Sequence, residues 1–320
     1  MRKETAVVIV PRQLNEESRV KVILPSSSLR AAFGLSRAYT RGYSLLQKHF
    51  TVENSEYWQT DYQRFAATDE ERAAEFNEAF RSGKWHAVIA GRGGYGCLRM
   101  LAGVDFETIK QRPKLLLGFS DLTILQLALY CKIGLVSLSS PVVASLNSRN
   151  IQRLLPLLLG DSTGFDLIPP ANKKRIEVLQ PGKAEGVLLG GNLYSMVQLI
   201  GAGYMPRLDS AIFFVEDVNE TVDSIDSFLH HLKLAGLLYR ITGVVIGDLS
   251  LRRKHIFTNQ SKWRNLLRLR ITSIFRKEIP VIGGVDYGHI GNSITIPIGV
   301  RAELDTESRS LTLLESVTHA

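Results

Sequence analysis

Residues 115–131 read Leu-Leu-Leu-Gly-Phe-Ser-Asp-Leu-Thr-Ile-Leu-Gln-Leu-Ala-Leu-Tyr-Cys, and this stretch decides the fold class. Three leucines without a polar break read as a buried strand, and Gly118-Phe-Ser-Asp121 follows it. A helix is predicted over about 122–131. Upstream, Ala87-Val-Ile-Ala90 is a second short apolar strand, and it enters the glycine-rich Gly91-Arg-Gly-Gly-Tyr-Gly96. Earlier still, Thr68-Asp-Glu-Glu71 is a capping box, in which hydroxyl and carboxylate satisfy free backbone donors reciprocally. Ala73, Phe76, Ala79 and Phe80 continue at helical spacing, with Gly83 as a stop. The first clear strand, 20–24, runs into Pro25-Ser26-Ser27-Ser28. Strands alternating with helices predict a parallel α/β sheet in the first half of the chain.

Between roughly 147 and 181 the pattern loosens, punctuated by Pro156, Gly160, Gly164, Pro169-Pro170 and Pro181-Gly182. A second ordered region begins at Glu185-Gly-Val-Leu-Leu-Gly-Gly-Asn192. Ile212-Phe-Phe-Val215 reads as a strand ending in Glu216-Asp217, and Val222, Ile225, Phe228, Leu229 and Leu232 form one helix face. From Ile294 to Leu304 apolar residues alternate with period two, 305–309 turns, and Leu311-Thr-Leu-Leu314 returns. That predicts an antiparallel hairpin and a mixed or largely β second domain. The expected division is an extension over 1–20, an α/β domain over 21–150, a linker over 151–182 and a second domain over 183–320.

The chain has 320 residues, 45% of them hydrophobic and 22% charged, which excludes disorder, collagen and a coiled coil. No apolar run approaches the roughly 20 residues that span a bilayer, and the apolar 6–10 is too short for a secretory signal. A cytoplasmic location without membrane attachment is the expectation. Cys97 and Cys131 are too few for a disulfide framework and read as small core residues. The net charge of +8 fits an anionic substrate or a nucleic acid, and it fits simple solubility as well. Nine Lys or Arg and no acid occupy 251–277, interleaved with apolar residues. They read as a solvated basic helix, with attraction of an anionic ligand or surface as the other reading.

A serine between a buried strand and a helix sits on a tight turn, with its hydroxyl exposed. The N–H of Asp121 then lies at a helix N-terminus, where it can donate to a developing oxyanion. The second glycine of the usual hydrolase elbow is missing, and Ser120 or Asp121 capping the helix is the competing reading. Of seven histidines, His289 has glycine on both sides, at 288 and 291, and follows an apolar strand, which suits a general base. Glu216 could orient that imidazole, with Asp217 and Glu220 as competitors. The glycines of 91–96 can bind an anion or supply a second oxyanion donor. They match neither a dinucleotide fingerprint nor a Walker loop, no metal-ligand motif is present, and no cofactor is expected. Arg92, in the same loop, is a candidate for a substrate carboxylate or for a brace to Asp121.

Taken in order, 68–80, Arg92-Gly-Gly-Tyr-Gly96, Gly118-Phe-Ser-Asp121, Gly190-Gly-Asn192, Val215-Glu-Asp217, Gly288-His289 and Ile296-Pro-Ile-Gly299 resemble the LD-carboxypeptidase family of serine peptidases. That family includes microcin C self-immunity proteins. The resemblance implies an N-terminal Rossmann-like domain, a C-terminal mostly β domain and a Ser-Glu-His triad drawn from both. It assigns Ser120 as nucleophile, His289 as base and Glu216 as orienting carboxylate, with Asp121 and Gly94 N–H groups as the oxyanion hole. It also implies a homodimer without a metal. Three departures stand out: the extension, Ser139-Ser140-Pro141 where many members have His-Gly-Pro, and the Arg-rich 251–277. The leading expectation is hydrolysis of an L,D-peptide bond in a murein-type peptide. A hydrolase of peptidyl-nucleotide conjugates is the second reading. A non-enzymatic anion- or nucleic-acid-binding protein is the third.

Overall fold

The computed structural model describes residues 7–31, 34–251 and 260–320. The chain divides into two compact units. One is Met1–Ser162 with Thr295–Gly299 and Ser316–Ala320; the other is Thr163–Ile294 with Val300–Glu315. Elements are numbered along the whole chain.

The first unit holds β1 (Arg19–Ile23), α1 (Leu35–Leu46), β2 (Thr51–Glu53), α2 (Asp69–Arg81), β3 (Ala87–Ala90), α3 (Cys97–Met100) and α4 (Phe106–Gln111). It continues with β4 (Leu115–Gly118), α5 (Thr123–Ile133), β5 (Ser137–Ser139), α6 (Ser148–Leu159) and β11 (Ile296–Ile298). Its sheet runs β11-β5-β4-β3-β1-β2. Strands β1 to β5 are parallel, and β11 lies antiparallel to β5. This is the expected Rossmann-like parallel sheet. The order of β1–β5 is that of a doubly wound sheet whose winding reverses between β1 and β3. In such sheets ligands bind beyond the carboxyl ends of the strands at the reversal. Here those ends release 24–28 and 91–96.

Strands β3 and β4 are buried along their whole length, so they carry no polar alternation. Burial of each Leu of β4 contributes roughly 1.5–3 kcal/mol. The cap of α2 stands as read: Glu71 N–H donates to Thr68 Oγ1 at 3.2 Å, and Thr68 N–H to Glu71 Oε2 at 2.9 Å. Residues 7–18 are bonded into this unit, with Ile9 N–H donating to Gly134 O at 2.8 Å and Leu14 buried.

The second unit holds β6 (Glu177–Gln180), β7 (Lys183–Asn192), α7 (Leu193–Val197), β8 (Ala211–Glu220), α8 (Val222–Leu234) and β9 (Gly243–Leu251). Then come α9 (Gln260–Ile274), β10 (Val281–Gly283), β12 (Arg301–Asp305) and β13 (Ser310–Leu313). Its sheet is mixed and runs β13-β12-β7-β8-β9-β10-β6. Strands β7 to β10 are parallel and the outer pairings antiparallel. Residues 151–182, expected as a linker, hold most of α6, and β6, as well as connecting chain.

The hairpin β12–β13 forms as expected, but the alternating run before it does not belong to it. Ile296–Ile298 is an edge strand of the first unit's sheet. Pro297 lacks an N–H, which an edge strand tolerates, and Gly299 at φ +92° ends the strand. In the basic segment, 252–259 lie outside the described residues. Further along, α9 buries Leu267, Ile271 and Ile274, while Arg270 pairs with Asp223 at 2.5 Å. Arg268, Arg276 and Lys277 are exposed. Among the described residues no helix is long and apolar enough to cross a membrane.

Candidate active site

In the first unit, Ser120 lies beyond β4 with one residue between, and has φ +67°, a left-handed conformation uncommon for a residue with a Cβ. Gly118, at φ +147°, leads into it, and a Cβ there would meet Leu122 Cδ2 at 2.4 Å. Gln126, buried on α5, fixes this corner by donating to Gly118 O at 3.1 Å and Leu138 O at 2.8 Å. The serine is therefore held on a strained strand-to-helix turn and is partly exposed. The glycine loop runs against it: a Cβ on Gly93 would fall 2.9 Å from Ser120 Cβ and 3.1 Å from its Oγ. Gly94 instead packs on Ser27, whose Oγ a Cβ would meet at 2.5 Å.

Arg92 does not pair with Asp121. Its Nε donates to Gly93 O at 2.9 Å and its Nη1 to Ser28 O at 2.5 Å. Among the described residues no carboxylate forms an ion pair with it, and burial with the charge of Arg64 depresses its pKa. The Asp121 carboxylate is buried and accepts from Ser26 Oγ at 2.6 Å and from Cys97 N–H at 2.9 Å. Burial pushes its pKa up, against those two donors.

In the second unit, His289 Nδ1 lies 2.7 Å from Glu216 Oε2. Glu216 is fully buried, and the His289 side chain is 24% exposed. Glu216 does not end its strand, because β8 continues to Glu220 through register shifts against β9 at 215–217 and 218–220. At the first shift two residues of β9, Gly247 and Asp248, stand opposite Glu216 alone. Nor does it cap α8; Thr221 does, accepting from Ser224 N–H at 3.0 Å. Asn192 Nδ2 donates to Glu216 Oε1 at 3.1 Å and to Asp217 Oδ1 at 3.2 Å. Asp217 also accepts from Tyr194 N–H at 2.9 Å. Burial raises Asp217 to about 6, with the Glu216 charge adding to it.

Burial of the His289 ring lowers its pKa, but the bond and charge of Glu216, with Asp217 and Asp248, outweigh it and leave it raised. Of the three carboxylates considered for this role, Glu216 is the one bonded to the imidazole. Gly288 is what allows the approach: it sits at φ +127°, and a Cβ there would lie 2.9 Å from Glu216 Oε2. An imidazole with one nitrogen on a buried carboxylate is oriented and kept basic, as a general base requires.

Ser26, Asn192 and Asp217 have roles that side-chain chemistry alone does not assign. The sequence signal for Ser26 is its place after β1 at the sheet's reversal. His230 and His231 lie exposed on α8, and His255 is outside the described residues. Among the described residues no three His, Cys, Asp or Glu side chains gather as a metal site.

The sequence matches two family profiles, the LD-carboxypeptidase N-terminal domain over 20–140 and the LD-carboxypeptidase C-terminal domain over 185–304. A carboxypeptidase-named relative from Streptomyces coelicolor is 31% identical, covering 96% of each chain. The microcin C7 self-immunity protein MccF of Escherichia coli is 25% identical, over 91% of this chain and 92% of its own. A solved MccF structure in complex with aspartyl sulfamoyl adenosine has a TM-score of 0.87 at 20% identity, covering 97% of this chain and 100% of that one. The crystal structure of muramoyltetrapeptide carboxypeptidase from Oxalobacter formigenes has a TM-score of 0.77 at 27% identity, covering 92% and 98%.

Proposed function

This chain belongs to the LD-carboxypeptidase family, and on that premise we propose that it is a serine carboxypeptidase releasing a C-terminal D-amino acid from a murein-type peptide. The observation that carries the reading is the His289–Glu216 bond of 2.7 Å. In this reading Ser120 Oγ attacks the carbonyl of the L,D-peptide bond while His289 accepts its proton. Glu216 holds the imidazole and stabilises its protonated form. The N–H groups of Asp121 and Gly94 take the negative charge that builds on the carbonyl oxygen. Collapse of the tetrahedral intermediate breaks the C–N bond; His289 protonates the departing amine, and water then hydrolyses the acyl-serine. Arg92, held by two carbonyls and free of an ion pair among the described residues, binds the terminal carboxylate of the substrate. The reading carries with it a cytoplasmic homodimer that uses no metal.

The MccF relative favours a second reading, hydrolysis of peptidyl-nucleotide conjugates by the same residues. One experiment separates the readings. Purified protein and Ser120→Ala are incubated with murein tetrapeptide and with a processed microcin, and products are read by mass spectrometry. Loss of one D-amino acid from the tetrapeptide, absent in Ser120→Ala, supports the carboxypeptidase. Cleavage of the microcin alone supports the second reading. Neither product, with nucleic acid or anion binding instead, overturns both.

A further inference from the structure

One buried carboxylate ties the nucleophile turn of the first unit to two distant segments. Asp121 is 4% exposed, Ser26 1% and Cys97 0%. Asp121 Oδ2 accepts from Ser26 Oγ at 2.6 Å and from the Cys97 N–H at 2.9 Å. Ser26 Oγ also lies 3.2 Å from Cys97 Sγ. The segment after β1, the end of the glycine loop and the residue after Ser120 therefore converge on one oxygen atom. Arg72, 1% exposed, reinforces two of the three by donating to Pro25 O and, at 3.0 Å, to Gly96 O.

This arrangement has a mechanical consequence. The carboxylate belongs to the residue whose own N–H is the first oxyanion donor, so holding the side chain limits where that N–H points. The Cys97 N–H lies at the end of the loop that supplies the second donor. We propose that Ser26 is a positioning residue, which acts through the Asp121 carboxylate to fix the Ser120–Asp121 turn against the glycine loop. It touches neither substrate nor the reacting atoms. Its effect falls on the transition state, because oxyanion donors matter where charge develops and contribute little to ground-state binding. The proposal rests on Ser120 being the nucleophile.

The test is steady-state kinetics of Ser26→Ala, Ser26→Thr and Asp121→Asn beside Ser120→Ala, with thermal melts of each. Ser26→Ala is expected to lower kcat by about 10- to 100-fold, as for slightly misplaced donors, with KM within about twofold. Ser26→Thr restores the hydroxyl and should recover kcat to within about threefold. If Ser26→Ala does not fold, Asp121→Asn decides: its amide oxygen is a weaker acceptor, and kcat should fall about tenfold at unchanged KM. Folded Ser26→Ala or Asp121→Asn with wild-type kcat, while Ser120→Ala is dead, overturns the positioning role alone. An active Ser120→Ala would instead overturn the reading on which it rests.

Discussion

Gly288→Ala tests the pairing of Glu216 with His289 without removing either. The new Cβ would lie 2.9 Å from Glu216 Oε2, 3.1 Å from its Cβ and 3.3 Å from its Cγ. Position 288 also has φ +127°, which an L residue adopts only at a cost of about 1–3 kcal/mol. Overpacking a buried contact of this kind adds about 1–3 kcal/mol more. Glu216 is buried, with Asn192 on its other oxygen, so the strain is relieved where the structure is looser, at the partly exposed His289. The 2.7 Å bond opens, and the imidazole loses its orientation. In serine-protease triads an imidazole in the wrong tautomer costs about 10⁴ in kcat, roughly 5.4 kcal/mol, so the proposed triad predicts a fall of about 10³–10⁴. The pH profile adds a signed readout. A base works when neutral, so the rate rises with pH through the His289 pKa, which in the native pair lies above the ordinary imidazole value. With the bond to Glu216 open, its raising effect weakens while that of burial remains, and the acid limb moves to lower pH. Folded Gly288→Ala with wild-type kcat and an unmoved limb would refute the argument.

Arg92→Ala should mainly raise KM for a peptide with a free terminal carboxylate, by about 10-fold or more for a lost charge-assisted contact, and leave cleavage of the amidated peptide nearly unchanged. Equal damage to both substrates would leave Arg92 as a brace for its loop. Thr68→Ala removes the α2 cap and should destabilise the protein by about 0.5–2 kcal/mol in denaturant melts, with kcat unaffected. An unchanged midpoint would mean that water replaces the cap at no cost.

The parallel sheet and the cap of α2 were legible because their causes are local: buried strands without polar residues, and a four-residue box. The left-handed Ser120 was legible only as a tight turn, and the crowding beside it, where a Cβ on Gly118 would meet Leu122, is made by the fold. Glu216 reads from the sequence as a strand-end residue. It does not end β8 but sits at a register shift inside it, and bulges leave no mark in a short apolar run. Helix α1 buries Tyr39, Gly42 and Leu46 on one face, and that glycine answers to a distant neighbour: a Cβ there would run into Val143 O. The Ser26–Asp121 bond spans 95 residues, a separation that spacing arguments do not reach. Ile296–Ile298 has the alternation of a hairpin strand, yet Pro297 and Gly299 give it to the edge of the other sheet.

The measurement that bears most directly on the central claim is a double-mutant cycle between Ser120 and His289, read as kcat/KM on murein tetrapeptide. If Ser120, Glu216 and His289 act as one catalytic unit, Ser120→Ala and His289→Ala each remove most activity and the double mutant is little worse than either. Losses that multiply, each residue costing its own factor regardless of the other, would contradict the account.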